Sequence, residues 1–441
     1  MPERQGHMGL TMFMITAGYH YDAWRRPGSR MEEWGRLGLL VDMIQKAEAA
    51  KLDAMFFGDL VGAGPVPGTD PTQSGHYESI SSIGALIGYT SRIGMIGTAS
   101  TTFLPPYTVA RQFSGLDSLS GGRVGWNVVT SSMGETNYGL DAMPSGEERY
   151  RMAAEFLDVC FGLWDGWSDE AALNDREGGR WCDPKRIIPL NHKGEFFSVE
   201  GPINMPRSPQ GRPIIVQAGS SDAGQSVGAK YADAIYTQQP IKEDSIAFYR
   251  GFKDKVRGFG RDPKDVRIMP GIVPILGRTE AEARELEAEL ASYVNLENGR
   301  RFVGRRLEMD LSDFPIDDVI PESWFVGPKF ESISRYNVFK NLAVNERCTL
   351  RQLIQVNARS HGHGTITGTP SQVADRMIDW YESRACDGFN LNSPFIPGGQ
   401  DLILDLLVPE LVERGYFRSE YTGETLRDHW DLPRPPAWDK Q

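Results

Sequence analysis

The feature that most constrains the fold of this 441-residue chain is a rhythm of short apolar segments, separated by turns and by segments with helical spacing. Eight of these segments are predicted to be buried strands: 10–17, 54–57, 93–100, 123–130, 213–218, 233–237, 267–276 and 387–392. Eight strand–helix units with right-handed crossovers close most simply into a (β/α)8 TIM barrel, which is an α/β fold. An open doubly wound sheet is the alternative. Eight parallel strands would usually split there into halves, and no GxGxxG follows the first strand.

Two long stretches interrupt this rhythm. Residues 166–211 are rich in Gly, Pro and Asp, which predicts an insertion with a small hairpin. Residues 297–368 predict a second insertion, part helix and part loop. Residues 61–76 are rich in Gly, Pro and Thr and predict a long loop, and loops of that length tend to be functional. We expect one domain over residues 1–441, in which the two insertions act as lids over a binding site.

Composition narrows the class of protein. The formal net charge of −12 argues against a nucleic-acid partner or an anionic membrane, since both require basic patches. The four cysteines lie far apart, without a CxxC motif, so neither a zinc knuckle nor a dithiol redox pair is indicated. The amino terminus lacks an apolar signal core, and no stretch approaches 18 apolar residues. We expect a cytoplasmic protein with reduced thiols.

The stretch 120–132, SGGRVGWNVVTSS, joins a glycine turn to a strand that ends in hydroxyl groups. Asn127 is a polar residue inside the apolar run, and a buried amide requires hydrogen-bond partners. Ser131 follows at the end of the strand. Barrel enzymes present polar groups to a ligand in this way. The alternative is a structural role, in which Asn127 bonds to a neighbouring loop.

Polar side chains also follow other predicted strands, at the end where a barrel carries its site. They include His20 after the first strand, Asp59 after the second, and Thr98 and Thr102 in and after the third. A surface position for His20 and a capping role for Asp59 are the alternatives. Apolar side chains of the strands are predicted to wall the site, and they are Met12, Met14, Phe56, Trp126 and Ile215.

The segment 219–224, GSSDAG, gives the sharpest indication of a ligand. A glycine and two serines at a helix amino terminus supply backbone N–H groups, hydroxyls and the positive end of the helix dipole, which together suit a phosphate. The alternative is an ordinary N-cap by Ser220 or Ser221. Phosphate sites in barrels more often follow strands seven and eight, so this placement after the fifth strand is unusual.

Two histidines, His361 and His363 in the segment SHGHG, suggest a metal site at first reading. The chain has no HExxH motif, and the sequence places no partner carboxylate beside them, so we predict no metal. A GxSxG elbow is also absent, which argues against Ser-His-Asp chemistry.

Several segments together resemble a known family: SGGRVGWNVVTS, QAGSSDAGQ, ERYRMAAEF and a carboxyl-terminal run from GFNLNSPFIPGGQ to TLRDHWDL. They are similar to flavin-dependent monooxygenases of the bacterial-luciferase-like superfamily, in the branch that holds the nitrilotriacetate, EDTA and dibenzothiophene-sulfone monooxygenases. The likeness runs from the GYHYDAWR loop to the TLRDHW tail. It implies a luciferase-like barrel that binds reduced FMN (FMNH2) supplied by a separate NAD(P)H:flavin reductase. A flavin C4a-peroxide formed with O2 would oxidise a small organic substrate, often breaking a C–N or C–S bond.

The resemblance assigns five residues to the flavin ring. Asp59 matches the family's acidic residue near the isoalloxazine. Thr98 and Thr102 flank the third-strand position that touches the flavin. Asn127 and Ser131 match the polar pair after the fourth strand.

Three further residues are assigned to the phosphate end of FMN. Tyr150 in the segment EERY matches a tyrosine beside the phosphate tail, and Ser220 and Ser221 match the phosphate-binding serines. The family often has a histidine four residues before this tyrosine. This chain has Gly146 there, which removes one possible donor.

His20 matches a histidine of the GHHxxAWR-type loop, which reads GYHYDAWR here. It is the candidate for positioning or proton transfer, because the reference pKa of histidine lies near neutrality. The first histidine of that loop is Tyr19 in this chain, and we expect Tyr19 to reshape the substrate pocket.

The resemblance also bears on assembly and on the alternatives. It implies a homodimer or homotetramer that receives its flavin from the reductase by diffusion. Two other functions stay open on this fold. One is a luciferase-like oxidoreductase that uses a deazaflavin, and the other is a non-catalytic flavin-binding protein.

Overall fold

The computed structural model describes residues 6–15, 17–61, 77–219, 221–327 and 333–440. Within these ranges the chain alternates between short strands and longer helices, as its apolar rhythm predicts. The strands, in chain order, are β1 Gly9–Phe13, β2 Ala54–Phe57, β3 Gly94–Ser100, β4 Val124–Val129, β5 Ala172–Asp175, β6 Arg180–Cys182, β7 His192–Lys193, β8 Ser198–Val199, β9 Ile214–Gln217, β10 Ala234–Thr237, β11 Arg267–Leu276, β12 Gly364–Gly368 and β13 Gly388–Leu391.

Helices follow most of the strands, and several begin at caps that the sequence encodes. Thr279 and Thr369, for example, form capping boxes with the side chains three residues later. The helices, in chain order, are α1 Leu37–Ala49, α2 Ser79–Leu86, α3 Pro106–Ser120, α4 Gly146–Asp165, α5 Asp222–Tyr231, α6 Lys242–Gly258, α7 Glu280–Ser292, α8 Leu296–Leu307, α9 Ile333–Val344, α10 Leu350–Ser360, α11 Pro370–Glu382, α12 Gly398–Leu402, α13 Val408–Glu413 and α14 Leu426–His429. A π-helical turn at Ile403–Leu407 joins α12 to α13.

Eight parallel strands close into a barrel in the order β1, β2, β3, β4, β9, β10, β11 and β13, and β13 pairs with β1 to complete the ring. The (β/α)8 barrel predicted from the sequence is therefore confirmed. The seam joins two glycines, since Gly9 pairs in register with Gly388. A Cβ atom on Gly388 would lie 2.1 Å from the carbonyl oxygen of Gly9, so a residue with a side chain does not fit there.

All eight predicted strands are present, and six of them are shorter than predicted. The largest difference is in β1, which was expected to continue to residue 17 and ends at Phe13. The Met14 N–H still donates to the carbonyl oxygen of Phe56 at 2.8 Å. Beyond it, the Tyr19 N–H donates to the carbonyl oxygen of Ser393 at 2.7 Å, so this segment follows the rim of the barrel and leaves the sheet.

A ninth strand of the same sheet, β12, was not predicted. It pairs in parallel with the second half of β11, from Ile272 to Leu276, and so extends the sheet beyond the ring. Its sequence, GTITG, is short and bounded by glycines, and glycine is disfavoured in strands. Pairing with an already formed neighbour stabilises this segment, and its own residues indicate it only weakly.

The inside of the barrel and its base share one buried cluster. The inward-facing side chains of this cluster are Ala54, Phe56, Ile96, Ile214, Val216, Ala234, Tyr236 and Met269. Leu426, Trp430 and Leu432 of the carboxyl-terminal segment join them. Leu426 lies against Gly94, where a Cβ atom would be 2.7 Å from its Cδ1. The tail therefore closes the amino ends of the strands and leaves the carboxyl ends for ligands.

The two insertions are built differently. Residues 166–211 contain two small antiparallel pairs, β5 with β6 and β7 with β8, where one hairpin was predicted. In the second insertion, α8, α9 and α10 bury a cluster of their own. Its fully buried members include Val303, Phe339, Leu350 and Leu353. The assignment of the whole chain to one domain and the role of the insertions as lids stay predictions.

One predicted loop lies largely outside the described residues, because these omit 62–76. Among the helices of the described part, none combines the length and the apolar composition that a membrane-spanning helix requires.

We predict that Gly388→Ala lowers the free energy of unfolding by roughly 3 kcal/mol or more, because the new methyl group overlaps the Gly9 backbone at the seam. Chemical denaturation of the purified variant measures this. The matched control is Gly251→Ala in α6, where a Cβ atom meets nothing within 4 Å and helix propensity favours alanine. A Gly388→Ala variant as stable as the control would contradict this account of the seam.

Candidate functional site

Thr98 and Asn127 form the first polar pair at the mouth of the barrel. They are in register on β3 and β4, and both are about 95% buried. The Thr98 hydroxyl donates to the carbonyl oxygen of Phe57 at 2.8 Å, so its oxygen must accept from Asn127 Nδ2, which lies 2.9 Å away. This hydrogen bond fixes the orientation of the Asn127 amide. Its Oδ1 has no hydrogen-bond partner among the described residues. A buried acceptor of this kind costs roughly 1–3 kcal/mol, so a ligand that brings a hydrogen-bond donor fits here.

Asp59 is linked to this pair through Ser79. The Ser79 N–H points to Asp59 Oδ2 at 3.4 Å, and the Ser79 hydroxyl donates to the carbonyl oxygen of Thr98 at 2.7 Å. Burial raises the pKa of Asp59, and the nearby Glu78 carboxylate adds to this effect, while the backbone N–H groups of Ser79 and Leu60 oppose it. Ser79 therefore bridges Asp59 to the Thr98 backbone, and the role of Asp59 near the flavin ring stays a prediction.

Thr102 and Ser131 connect the ends of the same two strands. The Ser131 hydroxyl donates to Ser100 Oγ at 2.9 Å, and the Thr102 hydroxyl donates to the carbonyl oxygen of Thr130 at 3.0 Å. The two hydroxyl hydrogens are thus committed within the protein. Toward a ligand, either oxygen is available as a hydrogen-bond acceptor.

Tyr150 and Ser221 meet at the amino terminus of α5. Ser221 caps this helix, since its Oγ accepts the Gly224 N–H at 3.1 Å. The Tyr150 hydroxyl lies against two glycines: a Cβ atom on Gly224 would be 2.8 Å from it, and one on Gly219 would be 3.1 Å away. The absence of side chains on these two glycines leaves a concave surface next to the Tyr150 hydroxyl, which we call the glycine concavity. Ser220 lies outside the described residues. The N-cap alternative is therefore realised by Ser221, in a place that also suits an anion.

Arg149 supplies a cation beside this helix terminus. Its Nε atom is buried and has no hydrogen-bond partner in the described part of the chain. Burial lowers its pKa, as expected for a guanidinium that is only partly compensated. Its Nη2 atom lies 3.8 Å from the position of a Cβ atom on Gly146. The space beside Gly146 thus contains a charged donor from one turn later, which the sequence reading missed.

The opposite side of the mouth carries Asn392, just after β13. Its side chain is 99% buried, and neither its oxygen nor its nitrogen has a partner among the described residues. Asn392 Nδ2 and His363 Nδ1 converge on Gly271 of β11, where a Cβ atom would be 3.1 and 2.6 Å from them. Strands four places apart in an eight-stranded ring face each other, so this wall on β11 and β13 faces Thr98 and Asn127 on β3 and β4.

Below this level the interior polar groups satisfy one another. The Tyr236 hydroxyl donates to Thr11 Oγ1, and the Thr11 hydroxyl donates to Asn390 Oδ1, both at 3.0 Å. Aromatic rings continue upward from this network: Phe56 lies 4.8 Å from Tyr236, and Phe13 lies 5.2 Å from Phe56. These interior side chains are therefore satisfied, whereas Asn127 Oδ1 and both amide atoms of Asn392 at the rim have no partner among the described residues.

The structure corrects the sequence reading of His20. Its side chain is 99% buried, and its Nδ1 accepts the Asp22 N–H at 3.2 Å. Burial lowers its pKa to about 4, and the Arg359 charge acts in the same direction. At neutral pH His20 is therefore a neutral imidazole that carries its proton on Nε2, so the near-neutral reference pKa of histidine does not describe it. Its predicted catalytic role stays a prediction.

The apolar walls are also only partly as predicted. Phe56 belongs to the inner cluster of the barrel. Met12, Met14, Trp126 and Ile215 belong instead to the outer cluster, which packs the barrel against its helices. Trp126, for example, lies 5.7 Å from the ring of Phe113 in α3. Successive side chains of a strand point to opposite faces, and the apolar pattern alone does not indicate which face is inside.

His361 and His363 lie at the mouth and not in a metal cluster. The described residues contain no group of three His, Cys, Asp or Glu side chains that could hold a metal ion. His361 Nε2 donates to the carbonyl oxygen of Tyr19 at 2.9 Å, and burial lowers its pKa well below the usual range. Burial also lowers the pKa of His363 to about 3, against the partial opposition of the Gly271 backbone. Both imidazoles are therefore neutral at physiological pH.

The sequence reading missed Ser79, Arg149 and Asn392. One signal could have found Asn392, because Asn390 and Asn392 alternate in GFNLNSP and so share a face of the predicted strand. Ser79 and Arg149 lie in helices that read as ordinary amphipathic segments. Only the packing of α2 and α4 against the barrel brings them to the site.

Comparison with known proteins gives consistent similarities. A sequence profile described as luciferase-like monooxygenase matches residues 12–387. N-acetyl-S-(2-succino)cysteine monooxygenase from Bacillus subtilis (strain 168) is 38% identical, with 99% of each chain covered. Nitrilotriacetate monooxygenase component A from Aminobacter aminovorans is also 38% identical, with 97% of each covered. A solved structure of riboflavin lyase with modified FMN and riboflavin is 26% identical, with a TM-score of 0.85 and 96% of each chain covered.

We predict that the buried neutral His20 makes the fold sensitive to acid. Its pKa falls from 6.5 in the unfolded chain to about 4 in the folded one, so its contribution is complete above pH 6.5 and is lost as the pH falls toward 4. At pH 5 the loss from this group is about 2 kcal/mol. Melting temperatures between pH 7 and pH 5 should therefore fall less steeply for His20→Gln than for the unmodified protein. His7→Gln, at an exposed position, is the control and should leave the slope unchanged.

Proposed function

Because the chain belongs to the luciferase-like monooxygenase family, we propose that it is the oxygenase component of a two-component system, which uses reduced FMN and O2 to oxidise a small organic substrate. The chain is a flavin-dependent monooxygenase, and its relatives fall in the branch predicted from the sequence. The observation that carries the proposal is Asn127 Oδ1 at the mouth of the barrel, a buried acceptor to which no described residue donates.

The flavin ring fits the wall formed by Asp59, Thr98 and Asn127. A reduced flavin ring carries N–H groups, and Asn127 Oδ1 is a fixed acceptor that lacks a donor in the described residues. When bound, the flavin supplies the chemistry that activates O2. The C4a-peroxide route implied by the resemblance stays a prediction. The chain's own contribution is to orient the ring through Asn127 and to keep a half-buried carboxyl, Asp59, beside it.

The phosphate end of FMN fits the amino terminus of α5. The first backbone N–H groups of a helix have no partners within it, and the helix dipole favours an anion there. Ser221, Tyr150 and Arg149 add two hydroxyl groups and a guanidinium around the glycine concavity. Arg149 would compensate for the donor that Gly146 lacks. A phosphate would also supply the negative charge that the partly compensated Arg149 lacks.

The second insertion would cover the substrate. A cleft of about 470 Å³ separates Ser132 and Met133, after β4, from α8 and the turn that follows it. Its volume falls in the range of small-molecule pockets. Closure of α8 over the mouth would exclude water from the site. Water would otherwise promote release of hydrogen peroxide without oxidation of the substrate. Toward the substrate, His20 would act as a neutral hydrogen-bond donor through Nε2, because its Nδ1 already accepts the Asp22 N–H.

The substrate and the partner follow from the relatives by analogy. Nitrilotriacetate and N-acetyl-S-(2-succino)cysteine are small acids with C–N or C–S bonds, which agrees with oxidation next to nitrogen or sulfur. The designation component A indicates that a second component serves the relative, and we propose an NAD(P)H:flavin reductase for this chain. A homodimer or homotetramer and a cytoplasmic location stay predictions.

We predict that the protein, mixed with a flavin reductase, NADH and FMN, couples O2 uptake to consumption of nitrilotriacetate or N-acetyl-S-(2-succino)cysteine. An oxygen electrode and mass spectrometry of the products measure this. A reduced deazaflavin in place of FMN should give no turnover. Binding of reduced FMN without substrate-dependent product, across aminopolycarboxylates, thioethers, sulfones and aromatic heterocycles, would instead favour the non-catalytic alternative.

We predict that Ser221→Ala and Tyr150→Phe each weaken binding of reduced FMN by roughly 5- to 20-fold, the usual effect of losing one hydrogen bond to a charged group. Anaerobic fluorescence titration measures the affinity. Ser226→Ala is the matched control, because its hydroxyl lies on the same helix and bonds only to the carbonyl oxygen of Asp222. If all three variants bind reduced FMN equally well, the phosphate lies elsewhere.

A further inference from the structure

The wall of the mouth opposite Asn127 has polar groups that the flavin assignments leave unused. Asn392 is 99% buried with both amide atoms unpartnered in the described part of the chain, and it lies beside His363 over Gly271. A buried amide with no partner at all is costly, and the cost is removed when a ligand bonds to it. Because β13 faces β4 across the ring, one flavin ring held by Asn127 leaves this second wall to another ligand.

The guanidinium of Arg306 is a buried cation near this wall. Arg306, in α8, is 94% buried. Within the described residues its hydrogen bonds reach only neutral groups, namely Asn357 Oδ1 and the Tyr21 hydroxyl, the latter at 3.2 Å. Its guanidinium also lies 5.7 Å from the centre of the Phe339 ring. A buried guanidinium without a carboxylate is strongly disfavoured, unless an anion joins it.

Direct contacts connect Arg306 to the wall. The Tyr21 ring, whose hydroxyl bonds to Arg306, lies 3.9 Å from the His361 ring. The His361 ring in turn lies 4.4 Å from the ring of Tyr19, which also packs edge-on against His363 at 5.8 Å. These contacts place the Arg306 charge beside the ring cluster of Tyr21, His361 and Tyr19, which packs against His363.

The charges that act on these rings are positive. Arg335 and Arg306 both favour the deprotonated forms of Tyr19, His361 and His363. Among the described residues, no carboxylate contributes to the pKa shifts of these three side chains. The formal net charge of the chain is −12, and the guanidinium groups of Arg306 and Arg335 nevertheless act on this wall.

We propose that Asn392 and His363, with Arg306 behind them, bind a carboxylate group of the substrate, so that this enzyme acts on small organic acids. This inference rests on the proposed function and names the substrate class for the same site. The amide nitrogen of Asn392 donates to the carboxylate, and Arg306 acts as a positioning residue through its charge. The carboxylate supplies an acceptor for Asn392 Nδ2 and a negative charge near Arg306, neither of which the described residues supply.

Binding of matched acids and esters tests the proposal directly. The probes are nitrilotriacetate and N-acetyl-S-(2-succino)cysteine, each with its fully methylated ester, titrated anaerobically into the protein with reduced FMN bound. We expect the acids to bind at least roughly tenfold more tightly than the esters. Equal affinity for acids and esters would overturn the proposal.

Two variants locate the site. Asn392→Asp places a like charge of the same shape against the carboxylate, and it should weaken acid binding by roughly 10- to 100-fold while ester binding changes little. Arg306→Gln should raise KM for the acids at least roughly fivefold more than it raises KM for the neutral esters. Arg301→Gln, at an exposed position of the same helix, is the control. An equal loss for acids and esters would indicate a structural role and contradict the assignment.

A separate readout distinguishes failure of the site from failure of the function. Affinity for reduced FMN should be unchanged in Asn392→Asp; a loss there would show that this wall holds the flavin and would overturn the proposal. If acids bind in a charge-dependent way but no product forms, the proposed function fails and the acid site stands. If product forms from neutral substrates as readily as from acids, the function stands and the acid site fails.

Discussion

Closure of the barrel at the seam between β1 and β13 is the constraint on which the rest of the structure depends. The two strands pair through Gly9 and Gly388, and the missing side chain at Gly388 lets the backbones approach. A closed ring has no free edge, and it gathers the carboxyl ends of all eight strands around one opening. Asn127 and Asn392, 265 residues apart in the sequence, face each other only because the ring closes.

The second constraint is that buried polar groups in a largely apolar interior need hydrogen-bond partners. In the middle of the barrel, Tyr236, Thr11 and Asn390 satisfy one another. At the rim, two of the buried groups that have no partner among the described residues lie on opposite walls, at Asn127 and at Asn392. Such exceptions are costly in a native protein and mark the places where a ligand completes the hydrogen bonds. An enzyme that brings together a flavin and a substrate needs two walls of this kind.

Much of this was predictable from the sequence. The strands follow from apolar runs bounded by turn residues, which are local signals, and the position of Asn127 follows from a single polar residue within such a run. Residues without a local signal were missed or misread. His20 has a lowered pKa because Pro394, Ala358 and their neighbours cover its loop, and β12 is stabilised by its pairing with β11. Trp126 was predicted to line the site, but it faces the helices outside the barrel. A strand that is buried on both faces has no alternation of polar and apolar residues that would show which face is inside.

The sequence by itself therefore determined the number and order of the strand–helix units, a helix start near Ser220 and Ser221, and the family, because these depend on short-range patterns and on long segments that resemble the family. The tertiary structure decided which polar atoms stay unsatisfied, which histidines stay neutral, and that Arg306 lies buried behind the mouth. These properties depend on burial and on partners that come from distant parts of the chain. No local pattern encodes desolvation, so they exist only once the ring has closed and the insertions have packed against it.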